Sequence, residues 1–263
     1  MSNIAVSFEY TKLKKELSDL VFEYESLKNQ ICPSLEREYI LNFGLLEYNI
    51  YKKDFEIDKI KAKIKLIQKE INHQNQVDIK VIDEKLELKF KDYNKKLKES
   101  MDEVSNVLKN KNEFSELSEE DSLKLRKIYK ILVKRLHPDL NKDQDEFEKT
   151  LFMEVTDAFK MGDLKKLETL YAITPDSKFD VDFSTEADLN RLIIDFKLKI
   201  SEIRSKYPYT VMDLLASDTE IENYINDLKS LNKDKDEELG YYNNKLNQKL
   251  EEVKDFNKNI NSD

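Results

Sequence analysis

Apolar residues recur along most of the chain at alternating steps of four and three, the spacing that aligns side chains on one face of a helix. The first stripe is Leu13, Leu17, Leu20, Tyr24, Leu27 and Ile31, the seam of a coiled-coil-like helix. Pro33 pushes the residue before it away from helical geometry, so this helix is expected to stop near Cys32, with Ser34 capping the next. After Gly44 a second stripe carries Leu46, Ile50, Ile57, Ile60, Ile64, Ile67 and Ile71, and the polar run Asn72 to Gln76 interrupts it. A third carries Ile79, Ile82, Leu86, Phe90, Tyr93, Leu97, Val104 and Val107. A turn at the polar run would fold the second stripe onto the third, so residues 1–112 are expected to form a helical hairpin or bundle arm.

Residues 113–173 differ, with shorter helices about a central proline, and 174–185 read as a linker containing Pro175 and several Asp and Ser. From 186 to 263 helical stripes return: Leu189, Ile193, Phe196, Ile200, Ile203 and Tyr207 before Pro208, then Ile221, Ile225 and Leu228, then Leu239, Tyr242, Leu246, Leu250 and Val253. A second, C-terminal helical hairpin is expected there. The fold class is all-α: long antiparallel, coiled-coil-like arms flanking a small helical unit. Intramolecular and dimeric coiled coils share one seam, so a homodimer stays open.

Composition removes several functions. Three Gly in 263 residues leave no Gly-rich phosphate loop, and a single Cys with two His gives neither an internal disulfide nor a zinc ligand set. No cofactor or metal is expected. No His/Cys/Ser constellation accompanies the abundant carboxylates, so an enzyme is not expected, and His73 in the polar break reads as solvent-exposed. The net charge of −9 argues against nucleic acid as the main partner. Apolar runs are too short to cross a membrane, and Met1 to Tyr10 lacks the basic and apolar regions of a signal peptide. The expected location is cytoplasmic, with no membrane partner.

One stretch departs from the acidic average. Ser118 precedes Glu119-Glu120-Asp121 as a helix cap with Asp121 in the capping-box position. The helix that follows places Leu125, Ile128, Tyr129, Leu132 and Leu136 on one face. Lys127, Lys130 and Lys134 lie opposite, flanked by Arg126 and Arg135. Six Lys/Arg against one Asp between Asp121 and Leu136 make a basic patch suited to an acidic partner. Pro138 in His137-Pro138-Asp139 forces the chain out of the helix and holds His137 and Asp139 at a loop mouth. A second helix with Phe147, Leu151, Phe152, Val155, Ala158 and Phe159 inward then returns against the first, and Gly162-Asp163 ends it and caps a short third.

Tyr129, Leu132, Lys134-Arg135, His137-Pro138-Asp139 and Asn141, followed by Phe152, Glu154, Val155, Asp157, Ala158 and Phe159, resemble the J domain of DnaJ-type co-chaperones over about 50 residues. The resemblance implies that Arg126, Lys127, Lys130, Lys134, Arg135, His137, Pro138 and Asp139 bind a DnaK-type chaperone and stimulate its ATP hydrolysis. It also implies that the helical arms recruit a client or assembly. The family's short first helix is missing before Ser118, where Glu113 to Leu117 is a poor substitute; the third seam helix is the candidate to stand in. The family's Gly/Phe-rich linker and zinc modules are also missing. The competing expectation is a coiled-coil scaffold in which the J-like unit survives as packing.

Overall fold

The computed structural model describes residues 2–109, 117–174 and 186–260, with side chains from residue 9 onward. Every regular element among them is helical. In chain order these are α1 (Ser2–Ser26), α2 (Cys32–Tyr39), α3 (Leu45–Asn72), α4 (Ile79–Lys89), α5 (Lys91–Lys109), α6 (Glu119–Leu136), α7 (Glu146–Lys160), α8 (Leu164–Ile173), α9 (Glu186–Arg204), the single turn α10 (Met212–Leu215) and α11 (Asp218–Ile260). Of the expected linker, 174–185, only Thr174 lies within the described residues.

The expected break at Cys32 does not occur. Cys32 keeps helical angles, φ −61° and ψ −46°, and its N–H bonds the carbonyl of Leu27, closing a wide π turn over Leu27–Ile31. A proline ring collides with the carbonyl four residues back in a straight α-helix; the wide turn relieves that collision and the chain continues helically. A second π turn, Ile40–Gly44, joins α2 to α3. Gly44 is closely packed there: a Cβ would lie 3.0 Å from Ile40 Cγ2 and 3.2 Å from Val104 Cγ2, so those side chains would have to shift to admit it.

Helices α1 and α3 each take a partner from far along the chain. Helix α1 packs on α9, and α3 packs on α11. The chain divides into two compact units, Met1–Glu38 with Asn110–Asp213, and Tyr39–Lys109 with Leu214–Asp263. This corrects two expectations. Residues 1–112 are not one arm, because α1 belongs with the first unit and α3 to α5 with the second. Residues 186–263 are not one hairpin, because α9 and α11 fall in different units.

In the first unit Leu17 and Val21 of α1, Leu125, Tyr129, Leu132 and Leu136 of α6, Val155 and Phe159 of α7, Leu167 of α8 and Leu189 and Phe196 of α9 form one core. The helices α6, α7 and α8 are therefore part of a larger packed body that includes α1 and α9. Phe147, expected inward, is 58% exposed in the first turn of α7. The helix that lies on α6 is α1, with the Leu27–Ile31 turn on α7. The third seam helix, α4 and α5, belongs to the other unit.

In the second unit α3 reverses into α4 and packs on both α4 and α5, while α11 runs along α3. Lys53–Asp236 (2.6 Å), Lys61–Glu238 (2.9 Å) and Lys235–Asp54 (2.7 Å) lace α3 to α11. The third stripe bends at Phe90, whose ring meets Phe55 edge-on at 5.5 Å.

Both α3 and α7 end in Schellman caps. Asn75 N–H bonds Glu70 O and Gln74 N–H bonds Ile71 O, as Asp163 N–H bonds Ala158 O and Gly162 N–H bonds Phe159 O. The left-handed residue is Gly162 (φ +66°) in one and Gln74 (φ +54°) in the other. A side chain costs about 1 kcal/mol or more in that conformation. Gln74→Gly should therefore stabilise the second unit by up to about 1 kcal/mol, less the entropy glycine loses on folding. Thermal unfolding of the variant reads this directly; a lowered Tm would show that Gln74 gains more from its side chain than it loses in its backbone.

Candidate functional site

The His137-Pro138-Asp139 turn sits where α6 hands over to α7, built by local chemistry at each step. Ser118 Oγ accepts the Asp121 N–H at 3.1 Å and opens α6; Asp145 and Glu148 form a reciprocal capping box that opens α7. His137 caps the end of α6 in extended geometry, φ −71° and ψ 131°, as a residue before proline prefers. Helix ends leave carbonyls without partners, and two loop amides take them up here. Asn141 Nδ2 donates to Lys134 O and His137 O, each at 3.2 Å, and Gln144 Nε2 donates to Leu136 O. Leu140 is buried beneath. The loop is thereby fastened to the helix it leaves.

Within the turn the three residues part company. Pro138 and Asp139 are exposed, while His137 is 5% exposed. The Asp139 N–H donates to His137 Nδ1 at 3.1 Å, which leaves the ring proton on Nε2, 3.4 Å from Glu25 Oε1 of α1. Phe152 and Phe196 meet the imidazole edge-on at 5.3 and 6.2 Å. Glu25 Oε2 also accepts from Asn29 Nδ2 at 2.6 Å and faces the Tyr129 hydroxyl at 3.5 Å. Burial pushes the Glu25 carboxyl up, but hydrogen bonds from His137 and Asn29 and the nearby Lys28 cation outweigh it, holding the group below the usual carboxylate range. Burial and the Glu25 charge push the Tyr129 hydroxyl the other way, well above an ordinary phenol.

The basic residues of α6 also divide. Arg126 and Lys127 are exposed, and Lys134 and Arg135 are half-buried. Lys130 pairs with Asp19 of α1 at 2.9 Å and stands 5.2 Å from the centre of the Phe22 ring. Arg135 leans over Tyr171 of α8 at 5.1 Å. Seven of the eight expected contact residues thus reach solvent at least in part; the imidazole of His137 does not, and Lys130 is engaged by α1.

Sequence reasoning missed Glu25, Asn29 and Asp19. The first stripe runs through Leu20 and Tyr24, whereas the buried row follows Leu17, Val21 and Glu25 of α1 into Asn29 of the Leu27–Ile31 turn. A carboxylate and an amide continuing an apolar four-step row are the signal, since buried polar groups need partners. Among the described residues, no three of His, Cys, Asp and Glu converge as a metal-ligand set, and no helix is long and apolar enough to cross a membrane. No family model matches the chain, and neither a curated protein nor a solved structure matches it.

Proposed function

We propose that this chain is a J-type co-chaperone: it binds a DnaK-type chaperone through the α6–α7 turn and stimulates ATP hydrolysis there, while its remaining helices recruit a client or assembly. The observation that carries the reading is the exposed Pro138-Asp139 pair, pinned by Asn141 and Gln144 at the end of a helix that offers Arg126, Lys127 and Lys134 to solvent. Such a surface performs no bond chemistry of its own. It changes the partner's rate by binding one of its conformations better than another. A second reading, a helical scaffold in which the J-like stretch is packing, draws on the burial of His137 against Glu25 and on the Lys130–Asp19 pair.

Single-turnover ATP hydrolysis by the DnaK-type chaperone of the same organism separates the two. The co-chaperone reading expects stimulation by the wild-type chain. Asp139→Asn, an exposed change that leaves the fold alone, should remove at least about tenfold of it, or about 1.4 kcal/mol of coupling. His137→Gln should abolish stimulation as well. Added salt should weaken the interaction, because exposed cations act at long range. No stimulation by the folded wild-type chain would leave the scaffold reading standing.

A further inference from the structure

The second unit carries a basic feature unrelated to the α6–α7 turn. Along one side of the α3–α11 pair lies a groove of about 900 Å³. Six lysines wall it: Lys61, Lys65 and Lys69 from α3, Lys89 at the end of α4, and Lys245 and Lys249 from α11. His73 adds a further nitrogen at one end, and none of the lining residues is a carboxylate. In a chain of net charge −9, so many cations around one concavity form a local field opposite to that of the whole molecule. Two of them are partly neutralised from outside the groove, Lys61 by Glu238 at 2.9 Å and Lys249 by Glu252 at 2.5 Å. Lys65, Lys69, Lys89 and Lys245 are exposed.

The floor is apolar. Ala62 and Leu66 of α3 line the groove and pack from there onto the core of the unit, and Tyr242 of α11 lies beside them with Lys61 over its ring at 4.6 Å. An occupant must therefore offer carboxylates to the walls and apolar side chains to the floor. The spacing of the walls narrows this further. Lys61, Lys65 and Lys69 follow one another at four-residue steps, about 6 Å apart along a helix axis. A helix laid alongside, with acids at the same four-residue steps, repeats at the same distance and sets a carboxylate against each lysine.

We infer that the α3–α11 groove is a docking site for an acidic amphipathic helix of a partner protein. This is the helix-in-groove mode of peptide recognition, with charge added as the selector. A flat bilayer does not enter a concave groove. A nucleic acid backbone would leave the apolar floor unsatisfied. The inference is independent of the J-type reading, since it uses no residue of the first unit.

The test is calorimetric titration of the full chain with a synthetic helical peptide about 20 residues long, with glutamates at four-residue steps and leucines on the adjoining face. Saturable one-to-one binding is expected. It should weaken about tenfold or more in the triple variant Lys65→Glu, Lys69→Glu, Lys245→Glu, and also when salt is raised from about 0.05 to about 0.5 M. The same peptide with lysines for glutamates should not bind. The parallel Gln variant, which removes the same three charges without adding new ones, should show an intermediate loss. All three positions are exposed, so both variants should keep the wild-type melting temperature, and the Gln variant carries the test if the Glu variant does not fold. Absence of saturable binding, or equal binding by the Gln variant, would overturn the inference. Tighter binding of a single-stranded oligonucleotide of equal charge would do so as well, and would assign the groove to nucleic acid.

Discussion

Phe159→Ala should destabilise the first unit by about 3–5 kcal/mol, the cost of emptying a phenylalanine-sized volume in a close-packed core. Phe159 has no exposed surface and lies parallel to Tyr129, with ring centres 3.6 Å apart and planes within 2°. Truncation removes that stacking and leaves Tyr129 facing a void. Phe147, in the same helix and 58% exposed, serves as the control: Phe147→Ala should change stability by no more than about 0.5 kcal/mol. Urea denaturation followed by far-ultraviolet circular dichroism reads both. A loss under about 1.5 kcal/mol for Phe159→Ala would mean that α6 and α7 are not joined through this pair. Because folded domains are stable by only about 5–15 kcal/mol, the variant is also expected to show a lower yield on expression.

The contrast between Phe147 and Phe159 marks how far the sequence could be read. Element type was legible nearly throughout, since the four-three spacing admits little but helix and the scarcity of glycine leaves few places to turn. Ser118, Gly162 and the polar run after Asn72 announced their caps and turns through side-chain chemistry. The local pairings, α3 with α4 and α5 and α6 with α7, were legible; the distant ones were not, and one local event accounts for most of that. The dipeptide Cys32-Pro33 has the usual mark of a helix boundary, but a π turn at Leu27–Ile31 absorbs the proline, and nothing in the residue types distinguishes the two outcomes. Once the chain fails to turn there, α1 must find α9 and α3 must find α11, across separations that periodicity does not encode. The candidate site was legible to a similar degree. The turn and its amide fasteners are local, so Asp139 could be placed on a loop mouth from sequence, whereas His137, expected beside it, is buried. His137 is buried against a carboxylate more than a hundred positions earlier in the chain, brought by a helix that was foreseen but whose packing was not.

That carboxylate makes a second strong prediction. Glu25→Ala should cost about 3 kcal/mol, because the His137 Nε2–H and the Asn29 amide keep their burial and lose their acceptor. Glu25→Gln retains an acceptor oxygen and should cost less. The two wild-type charge states differ in a way that fixes the pH dependence. The folded carboxyl titrates below its ordinary range, so the ionised form stabilises the fold. That contribution is fully present above the unfolded value of about 4.3 and fades as pH falls through it toward the lower folded value. Wild-type stability should therefore decline through this window more steeply than that of Glu25→Gln, which has no proton to gain there. Urea midpoints taken at pH 7 and in steps from about 5 to about 3 would reveal the difference, and parallel curves would mean that the carboxylate is not held by the His137 and Asn29 hydrogen bonds. The same variants bear on function through geometry. Asp139 N–H is bonded to the ring that Glu25 orients, so Glu25→Ala should release the imidazole, loosen the turn and lower whatever activity depends on how Asp139 is presented, while Glu25→Gln at neutral pH should leave that presentation largely in place.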